Sequence, residues 1–65
     1  MKKIADIFVG DTVWFEDLYD PEKRYPANFR GWFTAGDGKE MANLVPYQGG
    51  ISLSVERHRV YATKE

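Results

Sequence analysis

The stretch "NFRGWFTAGDGKEMANLVPY", residues 28–47, decides the fold class. Two runs rich in aromatic and apolar residues flank "GDGKE", where Gly36 and Gly38 can supply the positive φ that a tight hairpin demands. A hairpin here predicts an antiparallel strand on either side. Alternation then assigns the faces. Ala27, Phe29, Gly31, Phe33 and Ala35 point one way, and Asn28, Arg30, Trp32 and Thr34 point the other. The first set is expected to form the core.

Working outward, "GDTVWFED" at 10–17 is rich in β-branched and aromatic residues after a glycine, and it reads as a strand. Val13 and Phe15 share one face of it, with Trp14 opposite beside Thr12 and Glu16. "DLYDPEKRYP" at 17–26 carries Pro21, Pro26 and the charged run Glu22, Lys23 and Arg24, and reads as a loop. After "QGG" at 48–50, Ile51, Leu53 and Val55 alternate with serines, which marks another strand. No segment keeps a helical period. Residues 2–8 fit either one helical turn or a short fifth strand.

These elements describe one domain over 1–65, an all-β meander of four to five strands with a long loop between the first two main strands. A small SH3-like barrel is the architecture that suits strands this short in a chain this small. Val13, Phe15, Phe29, Phe33, Leu44, Leu53 and Val55 are the expected core.

Size and composition limit what such a chain can do. A 65-residue domain buries only about 60% of the surface its unfolded chain exposes. Domains this small usually need a disulfide, a metal or a partner. Cysteine is absent, and His58 is the single histidine, so a structural zinc site with Cys and His ligands has no ligand set. Two Trp, four Tyr and four Phe leave aromatic packing or oligomerisation as the means of stabilisation. Net charge is −1, which encodes no long-range attraction to nucleic acid or to an anionic membrane. The opening "MKKIADIFVG" has Asp6 where a signal peptide needs an unbroken apolar run. A cytoplasmic protein is the resulting expectation.

One histidine, no cysteine and scattered carboxylates leave few ways to assemble a nucleophile with its base, so no catalytic residues and no cofactor are expected. His58, between Arg57 and Arg59, reads as a surface histidine near a strand end. Asp11, Glu16, Asp17, Asp20 and Glu22 follow one another with no basic residue between them. They read first as a solvated loop face; the ligand spacing of a calcium loop is missing, and a partner's basic surface is the functional alternative. "GDGKE" is not a phosphate-binding loop, because Phe33 and Glu40 stand where that motif needs Gly and Ser or Thr.

Both tryptophans fall on the polar side of their strands by alternation. Either each covers a barrel end or tucks under the long loop, or the two form an exposed aromatic patch that anchors a partner. The second reading gives a partner-binding surface of Trp14, Trp32 and Arg30 with Tyr19 or Tyr25 from the long loop. The function expected is a protein-interaction module, since SH3-type barrels hold extended segments on such rings. Single-strand nucleic-acid binding, with bases on the aromatics beside Arg30, Arg57 and Arg59, is the alternative, and the charge balance weighs against it. A self-assembling accessory protein is a third, so homo-oligomers are among the expected partners; a membrane is not.

The segments "GDTVWFED", "YPANFRGW", "ANLVPYQGG" and "VERHRVYA" together resemble a group of short phage-encoded proteins with an SH3-like barrel. Those proteins share a Gly-Asp-x-Val-aromatic strand, a Pro-Ala lead into the next strand, an Asn-Leu-Val segment before a glycine turn and a late Val-x-Tyr. The likeness covers roughly residues 10–61, and it departs at the end, where Tyr61 follows Val60 directly. It implies a fold and a phage origin, and no common activity.

Overall fold

The structure, a computed structural model, describes residues 4–64. It is all-β, with a single antiparallel sheet of five strands and no α-helix among the described residues. β1 (Thr12–Glu16), β2 (Arg24–Thr34), β3 (Glu40–Pro46), β4 (Leu53–Glu56) and β5 (Val60–Tyr61) lie in the order β4-β3-β2-β1-β5. Each strand from β1 to β3 pairs with its successor, and β5 returns to pair with β1 through Trp14↔Tyr61 and Phe15↔Val60. β4 and β5 are both edges and do not pair with each other, so the sheet is open where a closed barrel was expected.

Two short 3-10 turns complete the chain, Ile4–Asp6 before β1 and Arg57–Arg59 between β4 and β5. The first settles part of the choice over residues 2–8 in favour of a helical turn; residues 2 and 3 lie outside the described residues. The fifth strand comes from the other end of the chain. The "GDGKE" turn forms as the glycines suggest, with Gly38 at φ 87° donating its N–H to Ala35 O. The loop after β1 is shorter than read, because Arg24, Tyr25 and Pro26 already pair with Glu16, Phe15 and Trp14. Proline lacks only the donor, and its carbonyl accepts from Tyr47 N–H.

The eleven-residue β2 determines which side chains face in. Its ladder with β3 runs Ala27↔Pro46, Asn28↔Val45, Phe29↔Leu44, then slips so that Gly31 faces Asn43 and Trp32 faces Ala42. Arg30 and Gly31 together oppose one residue of β3, a β-bulge, and Gly31 takes φ 134° there. One extra residue reverses the alternation beyond it. Trp32 therefore turns onto the core side, 4.9 Å from the Phe29 ring, while Phe33 turns outward and is 40% exposed.

The core so formed is Ile7, Val13, Ala27, Phe29, Ala42, Leu44 and Val60, with Ile4, Phe15, Trp32, Val55 and Ala62 packed against it. Val13, Phe29 and Leu44 are buried as expected, and Phe15 and Val55 are half-buried. Phe33 and Leu53 leave the expected core. The bulge expels the first. The second lies on the edge strand β4, which has a neighbour on one side only. Ile7 and Val60 fill the space instead, brought in by the turn before β1 and by the return strand.

Candidate functional site

The expected aromatic surface is dispersed by this fold. Trp14 lies between Pro26 of β2 and Tyr61 of β5 on the face opposite Val13, and Lys64 Nζ sits 5.9 Å above its ring. Trp32 lies on the core side, with the Arg57 guanidinium 4.6 Å over it. The two indoles thus occupy opposite faces, against the expectation of one shared face, and the bulge is the cause. Tyr25 is paired with Phe15 at 5.8 Å on the inner side. Tyr19 stands free on the β1–β2 loop at 89% exposure, and Arg30 is exposed at the bulge.

Around Trp14 the outer face is held by polar contacts. Glu16 accepts a short hydrogen bond from the Tyr61 hydroxyl and sits 3.6 Å from Arg59 Nε. Arg24 stacks 3.5 Å over the Tyr61 ring and donates to Lys64 O at 3.2 Å. The Tyr61 hydroxyl is raised above the ordinary tyrosine range, chiefly by donating to Glu16, then by desolvation and by the carboxylate's charge, with Arg24 opposing. This network ties β5 and the C-terminal residues to β1 and β2. Its members satisfy one another, so it reads as a structural clasp.

A different surface has the shape of a site. Where the sheet fails to close, a groove of about 460 Å³ runs between the β1–β2 loop and β4. Phe15, Met41, Leu53 and Val55 line it from β1, β3 and β4, and Leu18 from the loop. Leu18 is 67% and Leu53 37% exposed, so apolar side chains face water on both banks. Glu16, Asp17 and Glu56 line it as well, against a single guanidinium, that of Arg59. Arg59 is already committed, to Glu16 and to the carbonyl of Asp17 at 3.3 Å. The loop carrying Leu18 is shaped locally. Asp20 Oδ1 accepts from Glu22 N–H, Lys23 N–H reaches Asp20 O, and Asp17 N–H reaches Lys23 O, closing the turn and presenting Leu18 and Tyr19 outward.

Sequence reasoning placed Leu18 in a polar loop and Leu53 in the core, so it missed both banks. The available signal was a leucine and a tyrosine side by side in an otherwise charged loop. A second, more polar groove of about 670 Å³ beside Arg57–Arg59 is lined by Lys39, Glu40, Glu56, Arg57 and His58. Its charges pair internally, Arg57 with Glu40 at 2.7 Å, Lys39 with Glu56 at 3.9 Å and His58 with Glu56 at 3.7 Å. Among the described residues no group of three or more His, Asp or Glu could hold a metal ion, and no helix is long and apolar enough to cross a membrane. No family model, curated protein or solved structure matches the chain.

Proposed function

We propose that this chain is a non-catalytic protein-interaction module of SH3-like architecture, and that it docks a partner in the groove between the β1–β2 loop and β4. The meander order and the return of β5 onto β1 support the architecture. The observation that carries the docking reading is the pair Leu18 and Leu53, both exposed to one groove floored by Phe15, Met41 and Val55. A chain with so small a core gains stability from every apolar side chain it buries, so leaving these two in water is a cost that function can account for. His58, the one imidazole, is highly exposed and lies 3.7 Å from Glu56. The resemblance to short phage-encoded barrels supports a viral origin and leaves the partner open.

The single-strand nucleic-acid reading has less support. A base needs an open ring face, and Arg57 and Lys64 each cover one face of Trp32 and Trp14. Peptides selected on the protein from a random display library test the docking reading. Amide shifts on adding such a peptide are expected at Leu18, Met41, Leu53 and Val55, and Leu18→Lys should abolish them while leaving the fold intact. Shifts confined to the Trp14 face, or binding of single-stranded DNA at physiological salt in their place, would overturn it.

A further inference from the structure

We infer that the segment taken up by this groove enters as an added strand on the free edge of β4, with alternate apolar side chains and a basic residue beside Asp17. The inference rests on the docking reading and specifies its geometry and its ligand chemistry.

Sheet edges are normally guarded by brevity, charge, proline or a bulge. The β5 edge is two residues long and stands between Arg59 and Lys64. The β4 edge is twice as long, has no proline and no bulge, and carries a charge only at its last residue, Glu56. From Ile51 to Val55 there is no charge and no proline, and the register of β4 with β3 runs unbroken from Leu53↔Leu44 to Glu56↔Met41. Among the described residues no strand lies on its outer side.

That free edge is also one bank of the groove, since Leu53, Ser54, Val55 and Glu56 all line it. A strand laid against β4 therefore places every second side chain next to Leu53 and Val55, within reach of Leu18 across the opening. Backbone hydrogen bonds to β4 hold such a segment, and the groove selects its side chains. The occupant fills the gap that keeps the sheet open.

Charge selects further. Three carboxylates and one guanidinium line the groove, and the adjoining loop adds Asp20 and Glu22 against Lys23. No ion pair among the described residues involves Asp17. Glu16 and Glu56 are already engaged by Arg59 and Lys39, so an arriving lysine or arginine finds its partner in Asp17, whereas a second copy of this chain would bring only Glu56 on its own β4 edge and the same acidic loop. A foreign basic segment is thus the better match.

The test uses synthetic peptides of about ten residues alternating valine or leucine with threonine, one series carrying lysine near the end and the other glutamate. Titration against the intact protein is followed by fluorescence anisotropy. An exposed ion pair is worth up to about fivefold, so reversing its sign should weaken binding by up to about tenfold, less at high salt. Two further peptides carry N-methyl groups on the odd or on the even amides. One of them should lose binding by at least about tenfold, because each backbone hydrogen bond removed costs up to that factor, and the other should bind normally.

Equal binding of both methylated peptides overturns the added strand; the docking reading then still stands if Leu18→Lys abolishes binding, and falls if it does not. Equal binding of the lysine and glutamate peptides overturns the charge assignment. A stable dimer of the free protein by light scattering, lost in Leu53→Lys but retained in Leu18→Lys, would show that the edge takes a second copy and would overturn the foreign segment.

Discussion

Truncating Trp32 and Phe33 one at a time tests the bulge that sets which of the two faces the core. Simple alternation through β2 puts Phe33 inside and Trp32 outside; the bulge at Arg30 and Gly31 reverses this. Removing a fully buried Trp or Phe costs about 3–5 kcal/mol. Trp32 is half-buried, its ring tilted against Phe29 at 4.9 Å and capped by Arg57 at 4.6 Å, so Trp32→Ala should cost about 2–3 kcal/mol. Phe33 is 40% exposed and outside the core cluster, so Phe33→Ala should cost about 1 kcal/mol or less. A domain of this size has roughly 3–5 kcal/mol in total, and at about 1.4 kcal/mol per decade the first change lowers the folding constant by roughly 30- to 150-fold. Urea denaturation followed by circular dichroism reads both variants with one probe. A larger loss for Phe33→Ala than for Trp32→Ala would refute the bulge and restore the unbroken phase.

Three further outcomes are expected. Gly31→Ala should destabilise by about 1–3 kcal/mol although nothing lies within 4 Å of the added methyl, because φ 134° is a conformation that L residues rarely adopt; a neutral change in the same denaturation assay would contradict that backbone. Phe29→Ala, at the centre of the core and 2% exposed, should leave the chain largely unfolded by circular dichroism, and a cooperative melt near the parent's would count against the core assignment. Tyr61, with its pKa raised by the bond to Glu16, should titrate above the ordinary tyrosine value in an ultraviolet difference titration against Tyr61→Phe. Since its folded pKa lies above the unfolded value near 10, the stability it contributes is intact below that pH and is lost as pH rises through the folded pKa. An unfolding midpoint that falls equally in parent and Tyr61→Phe at alkaline pH would disprove the clasp.

The local signals in this sequence read correctly wherever a residue's own chemistry is decisive. β-Branched and aromatic runs became strands, Gly38 turned the hairpin, and Val13, Phe29 and Leu44 were buried by alternation within unbroken stretches of ladder. Two decisions could not be made locally. The bulge at Arg30 and Gly31 depends on how β2 registers against β3, and a glycine within a strand pattern reads equally as a plain strand position, so the phase of Trp32 and Phe33 was set by pairing. The groove depends on which strands end up as edges. "ISLSV" has the pattern of a strand with one buried face, but a face is buried only if something packs on it, and in this sheet β4 has one neighbour and an opening beyond it. Composition and periodicity thus determined that this is a small all-β domain with few means of stabilising itself. Tertiary pairing alone decided that Leu18 and Leu53 line one groove, because that arrangement brings together residues whose proximity no local preference encodes.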